Sequence, residues 1–222
     1  MTIHAPLFIV LLPVSAALLC MLFSRIQKNL GSWIVIASIV GAFLSAVTSL
    51  QRVIADGGKP IHYWMGNWQP PLGIEFVIDP ISGALAVLIT FISLLGAIYS
   101  LPFVKEEGWL HIGGYYTLYG LMTVGMCGMV ITGDVFNLYV FLEVMSLSGY
   151  GLIAIGGKKS MLAAFRYLLI GTIGASLYLL GVGYMYALTG TLNMADMAVR
   201  AAEFLNYPLF ALALACFVVG FG

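Results

Sequence analysis

The chain has 222 residues, 62% of them apolar or aromatic and only 8% charged. Soluble domains are about 45–50% apolar and roughly 25% charged, so nine basic and nine acidic side chains cannot clothe a soluble globule of this size. High hydrophobicity also excludes disorder, and zero net charge leaves no basic field for nucleic acid; the composition is that of an integral membrane protein.

A span of ~30 Å of hydrocarbon takes about 20 apolar helical residues. The first such stretch is Ala5–Ser24. It has no Lys or Arg before it and no small-residue cleavage site behind it, so it reads as a retained helix rather than a signal peptide. Gly31–Leu50 is the second. The long connection from Gln51 to Asp79 follows, with Ile74, Phe76 and Ile78 alternating with Glu75 and Val77. Trp64 and Trp68 stand across Gln69-Pro70-Pro71-Leu72-Gly73, which predicts a short β-hairpin on the membrane surface with its Trp residues at headgroup level. Pro80–Phe103 is the third span, with Asp79 as its N-cap and Pro80 at the first helical position. Gly113–Thr132 and Val135–Ile155 are the fourth and fifth, the latter capped by Asp134. Ala163–Leu188 is the sixth. Gly120, Gly125 and Gly128 on the fourth span, and Gly171, Gly174, Ala175 and Gly181 on the sixth, predict close helix approach. Asn193–Phe204 predicts an amphipathic connecting helix, with Met194, Met197, Ala198, Ala201 and Leu205 opposite Asp196, Arg200 and Glu203. The seventh stretch, Tyr207–Gly222, stops after 16 residues at a glycine, and the expectation is a chain that ends inside a helix. No internal repeat is evident.

Orientation follows the basic residues of the loops. With the N-terminus outside, Arg25, Lys28, Lys105, Lys158, Lys159 and Arg166 fall on the cytoplasmic side, against Arg52, Lys59 and Arg200 outside. The acids agree: Asp56, Glu75, Asp79, Asp134, Asp196 and Glu203 fall outside, Glu106 and Glu107 inside.

Glu143 is the ninth of 21 residues in the fifth span, about 12 Å below its outer end at 1.5 Å per residue. An acid there is penalised by roughly 2.5–3.5 kcal/mol on insertion scales, so it faces a partner or a watery path. Tyr139, Ser146 and Tyr150 lie four before, three after and seven after, within one face at 100° per residue. The four residues make a hydroxyl-and-carboxyl stripe that can pass protons along with water. The bland alternative is that Glu143 only hydrogen-bonds a neighbouring helix. Arg166 lies three residues inside the sixth helix and either snorkels to the cytoplasmic surface or partners the path. His111, at the cytoplasmic mouth of the fourth span, either feeds protons or is merely solvated. Cys20, Cys127 and Cys216 are widely spaced within apolar runs and imply neither a disulfide framework nor a metal site. No Walker motif, nucleophile elbow, intramembrane haem-ligand pair or other catalytic constellation is present.

The run Gly133-Asp134-Val135-Phe136-Asn137-Leu138-Tyr139-Val140-Phe141-Leu142-Glu143-Val144-Met145 resembles the fifth-helix motif of the antiporter-like subunits of respiratory complex I and of Mrp-type multisubunit cation/proton antiporters. The segment Gly66-Asn67-Trp68-Gln69-Pro70-Pro71-Leu72-Gly73-Ile74-Glu75, with Asp79-Pro80-Ile81-Ser82, is similar to the D-type Mrp subunit in particular. Arg166-Tyr167-Leu168-Leu169-Ile170-Gly171 and Leu188-Thr189-Gly190-Thr191-Leu192 fit the same family, so the resemblance covers essentially the whole chain. It implies an all-α polytopic membrane protein, the first part of a 14-helix subunit with two inverted five-helix repeats. Residues 1–112 would supply helices 1–3 and the outer hairpin, and 113–222 the first, incomplete part of the proton-translocating repeat. It implies that Glu143 corresponds to the family's fifth-helix glutamate, which pairs with a seventh-helix lysine. The chain departs from the pattern at Gly222, before that lysine and the second repeat appear.

The resulting expectation is a membrane subunit of a proton-translocating assembly, Mrp-like or complex I-like, with part of a proton half-channel centred on Glu143. The implied partners are other membrane subunits, protons and, as the candidate cation, Na+, in a cell (inner) membrane with the N-terminus outside. No cofactor is expected on this chain, neither NADH, flavin nor an iron–sulfur cluster; dehydrogenase activity would belong to the complex. The competing class is a structural membrane subunit with no ion path of its own. A self-contained small-molecule transporter would need a midplane site of broken helices, for which only Glu143 is available.

Overall fold

A computed structural model describes residues 4–27, 29–71, 73–104 and 109–221. Lys28, Lys105, Glu106 and Glu107 of the charge count, with Leu72 and Gly222, lie outside the described residues. The order is α1 (Ala5–Ile26), α2 (Leu30–Ala55), β1 (Ile61–Trp64), β2 (Glu75–Ile78), α3 (Pro80–Val104), α4 (Trp109–Ile131), α5 (Val135–Ile155), α6 (Lys158–Thr189), α7 (Met194–Ala201) and α8 (Pro208–Phe221). Helices α1 to α6 are long and apolar enough to cross a membrane; α8, with 14 residues, is shorter. Every expected span is a helix, and the differences are at the ends. Helix α6 begins at Lys158, because its polar first turn continues the helix beyond the apolar run.

The helices pack in the lateral order α3, α2, α1, α4, α5, α6, α8, with α3 also returning against α4. Small residues set the closest approaches. A Cβ on Gly125 of α4 would lie 2.6 Å from Met145 Cβ on α5, and one on Gly174 of α6 would lie 2.8 Å from the Gly220 carbonyl of α8. One core, around Ile9, Val10, Val53, Phe76, Ile78, Ile131 and Phe141, joins α1, α2, α4 and α5 to the hairpin. A second, around Cys20, Val35, Ile39, Ala97, Ile112 and Tyr116, joins α1 to α4 toward their other ends.

Strands β1 and β2 pair antiparallel, with Ile61 opposite Ile78 and Trp64 opposite Glu75. The predicted hairpin is therefore present, with Trp64 and Trp68 exposed. Its alternation is only partly kept, because Glu75 is buried along with Phe76 and Ile78. The start of α1 lies beside the hairpin, His4 Nδ1 being 3.0 Å from Tyr63 Oη. Capping holds as expected at two helix starts, and the structure adds a third at Asn193. Asp79 Oδ1 accepts from Ser82 N–H at 2.7 Å while Ser82 Oγ accepts from Asp79 N–H at 2.8 Å. Asp134 Oδ1 accepts from Asn137 N–H at 2.7 Å, and Asn193 Oδ1 from Asp196 N–H at 3.0 Å. The predicted amphipathic element is α7 followed by a tighter turn at Ala202–Phe204. Met197 and Ala201 pack inward, whereas Ala198 and Leu205 are exposed.

Candidate functional site

Helix α5 places the candidate residues, and its start is heavily fixed. Phe76 and Thr132 form one isolated antiparallel bridge, Asp134 and Asn193 another. Gly133 N–H donates to the Glu75 carbonyl at 3.0 Å, Val135 N–H to Leu192 O at 2.9 Å, and Met194 N–H to Gly133 O at 2.8 Å. The hairpin, the 132–135 segment and the 191–194 segment thus lie side by side across the ends of α4, α5 and α6. Asp134 is 7% exposed. Burial holds its carboxyl above the usual carboxylate range, partly offset by the N–H groups of Asn137 and Phe136. Asn137 Nδ2 donates to Thr132 Oγ1 at 3.0 Å and fixes the preceding turn.

Four residues into α5, Tyr139 stacks on Tyr178 of α6, ring centroids 6.5 Å apart and planes 10° apart. Tyr178 Oη donates to the Val135 carbonyl at 3.0 Å, so α6 holds the first turn of α5 from the side. Glu143, one turn further, is half-buried. Among the described residues its carboxyl has no hydrogen bond and no ion pair. Ser146 and Tyr150 line an open groove of about 400 Å³ between α5, α6 and α8, with Tyr167, Gly171 and Phe221 on its other walls. Tyr150 is buried edge-on against Tyr167, centroids 4.8 Å apart, and its hydroxyl fills the space beside Gly171 that a Cβ would need. It stands within electrostatic reach of Glu143 and hydrogen-bonding reach of Ser146. The stripe is therefore divided: Tyr139 is engaged by Tyr178, while Ser146 and Tyr150 face the groove.

The structure does not bring Arg166 or His111 to this stripe through any hydrogen bond or ion pair among the described residues. Arg166 is exposed on the third turn of α6, further along the helix than expected because α6 starts at Lys158. His111 is exposed near the start of α4 and lines a shallow groove of about 230 Å³ with Gly114, Leu118 and Ile155.

Sequence reasoning missed the polar cluster at the other side of the α5 start. Glu75 is 5% exposed, and Asn193 is 6% exposed. Asn193 Nδ2 donates to Glu75 Oε1 at 2.6 Å, and His62 Nδ1 lies 3.2 Å from Glu75 Oε2. A signal existed: an Asn that caps a helix with its oxygen still carries an amide NH2 that needs an acceptor. Arg200 of α7 pairs with Asp196 at 3.0 Å and donates to the Thr189 carbonyl at 3.2 Å, closing the end of α6.

The family model described as NADH:quinone oxidoreductase/Mrp antiporter, TM, matches residues 132–222. The chain is 43% identical over its whole length to the NADH-quinone oxidoreductase subunit N of Desulforudis audaxviator, of which it covers 44%. It is 32% identical to the D-type subunit of the Na(+)/H(+) antiporter of Bacillus subtilis over 87% of this chain and 38% of that protein. Among solved structures, it is similar to a chain of the membrane-bound sulfane sulfur reductase, an archaeal respiratory membrane complex, at TM-score 0.90 and 31% identity, over 98% of this chain and 44% of that one. A chain of the Mrp complex from Dietzia sp. DQ12-45-1b matches at TM-score 0.79 and 25% identity, over 99% of this chain and 40% of that one. The chain spans less than half the length of these relatives.

Proposed function

From the premise that this multi-pass membrane chain belongs to the antiporter-like subunit family of NADH:quinone oxidoreductase and Mrp complexes, we propose that it carries part of a proton path centred on Glu143. The observation that carries this reading is Glu143 itself. It is an acid at mid-helix depth, half-buried and without a hydrogen bond or ion pair among the described residues, beside hydroxyls that open onto a groove. Structural acids inside membranes are held by partners, because an unpaired one is penalised by about 2.5–3.5 kcal/mol.

In this mechanism the proton is held at the Glu143 carboxyl. Ser146 and Tyr150 relay it along the groove, since a hydroxyl accepts one proton while donating another. Tyr139 orients the path from the other side through its stack on Tyr178. Arg166 and His111 sit toward the cytoplasmic ends of α6 and α4 and set the local field and proton supply there. The chain works among other membrane subunits in a cell (inner) membrane, with its N-terminus outside, in an Mrp-like or complex I-like assembly. Protons are the transported ion, with Na+ the candidate counter-ion in an Mrp-like setting.

The test is Glu143→Gln in the complete assembly. Gln keeps the shape and hydrogen-bonding capacity but removes the titration, so assembly persists and proton movement is lost. Infrared difference spectra during turnover supply an independent check through a carboxyl band absent from the variant. Transport at the parent rate, with no such band lost, would leave the structural-subunit reading standing instead.

A further inference from the structure

Glu75 is a buried carboxylate that the proposed proton path does not use. Its side chain is held from two directions, by Asn193 Nδ2 at 2.6 Å and by His62 Nδ1 at 3.2 Å. Its own backbone carbonyl accepts the Gly133 N–H at 3.0 Å. Asn193, 118 residues away, caps α7 with its other side-chain atom and forms a bridge with Asp134. The one carboxylate therefore links the hairpin to the 191–194 segment, and both of those flank the backbone from which α5 starts. The charged surroundings are few. Asp134 is buried beside the cluster. Arg52, Asp56 and Lys59 share an outer cleft of about 430 Å³ with His62, and Arg200 is taken by Asp196.

An apolar residue would close the same space without desolvating a charge, and such replacements are often neutral or stabilising. What the carboxylate adds is direction. A bond to Asn193 exists in one register of the two segments only, so it defines where the α5 start lies. Helix α5 is continuous from Val135 to Ile155, and whatever fixes its first turn fixes the height and facing of Glu143 two turns later.

We propose that Glu75 is a positioning residue for Glu143, acting through its bond to Asn193 and the shared 132–135 backbone. This rests on the reading of Glu143 as the proton-holding group.

The experiment uses the complete assembly in lipid nanodiscs or vesicles, with Glu75→Ala, Glu75→Gln and Asn193→Ala. Hydrogen exchange at the amides of Gly133, Val135 and Met194 reports the local geometry. It speeds up roughly tenfold in both Ala variants, the factor expected for one lost buried hydrogen bond. It stays near the parent value in Glu75→Gln, whose amide oxygen still accepts from Asn193. The second readout is the pH profile of proton transport per assembled complex. Its midpoint moves by about half a unit or more in Glu75→Ala and returns in Glu75→Gln. A merely structural residue changes the amount of assembled complex and leaves that profile in place. Should Glu75→Ala fail to assemble, Asn193→Ala carries both measurements. Unchanged exchange at the three amides overturns the proposal, as does faster exchange with the parent profile and rate. The Glu143→Gln result stands apart, because the exchange measurement does not depend on what Glu143 does.

Discussion

Tyr150 and Tyr178 are both buried tyrosines, and their hydroxyls have different work. Tyr178 Oη is committed to the Val135 carbonyl, whereas Tyr150 Oη faces Ser146 and the groove. Tyr150→Phe keeps the edge-on packing against Tyr167 and deletes only the hydroxyl, so it should slow proton transport by about ten- to a hundredfold, at or below the low end of the roughly 10²–10⁴ attributed to positioned proton-transfer groups. Tyr178→Phe should loosen the α5 start, by about 1 kcal/mol for one hydrogen bond, and so act on transport through its pH midpoint, as loss of the Glu75 bond does, while the rate at the optimum pH stays within about twofold. Transport assays on matched amounts of assembled complex separate the two; equal rates for Tyr150→Phe and parent would remove Tyr150 from the path. The two capping aspartates make a second pair. Hydrogen bonding from the Ser82 N–H holds the Asp79 carboxyl below the usual range, while burial holds Asp134 above it. A lowered carboxyl contributes stability above its ordinary value and loses it as pH falls; a raised one favours the protonated folded form and loses that advantage as pH rises. Asp79→Asn should therefore destabilise α3 most at neutral pH and least in acid. Asp134→Asn, which can still cap, should be close to neutral in acid and comparatively stabilising above it. Thermal unfolding of the two variants from about pH 2 to pH 8 checks the opposite slopes, the Asp79 effect falling away below about pH 4 and the Asp134 effect developing above it; parallel curves would contradict the assignment.

At the scale of elements, hydropathy, turn residues and capping patterns located all six long helices, the short last one and the hairpin. Each of these is a local signal, carried by composition within one stretch of chain. The ends were less legible. Lys158 and Lys159 read as loop charges because they are basic, yet they belong to the first turn of α6. Long-range polar pairs were not legible at all: Glu75 and Asn193 are 118 residues apart, and neither residue's neighbours name the other. The same holds for the candidate site, where one-face spacing put four residues in a stripe but could not show that Tyr139 is taken up by Tyr178. The glycine pattern, by contrast, had direct structural content. Gly125→Val would push a side chain into Met145 and the Phe141 carbonyl at the α4–α5 contact, a cost of about 1–3 kcal/mol. Gly183→Ala meets nothing within 4 Å and should be tolerated. Expression and thermal stability of the two variants in membranes measure the difference; equal behaviour would mean that α4 and α5 do not approach as described.

At the scale of the molecule, the hairpin and the starts of α1, α3, α5 and α7 gather at one end, and the starts of α2, α4 and α6 at the other. With the N-terminus outside, a cysteine at Trp68 should react with an impermeant label from the outer side only. One at Lys158 should react from the cytoplasmic side only. Labelling of a Lys158 cysteine from outside alone would invert the orientation and, with it, the side from which His111 and Arg166 are reached.

The fixed start of α5 has a mechanical consequence. With hairpin, neighbouring segment and Tyr178 all gripping the first turn, that end acts as a fulcrum and the rest of the helix as a lever. Its 21 residues extend about 30 Å, with Glu143 some 12 Å from the pivot and Ile155 at the tip. A tilt of about 5° then carries Glu143 by roughly 1 Å and Ile155 by between 2 and 3 Å. An ångström is enough to make or break a hydrogen bond, whose heavy-atom distances span only about 2.7–3.2 Å. The carboxyl can thus gain or lose a hydrogen bond while the hairpin end stands still, and the amplitude reaches the connection to α6 more than doubled.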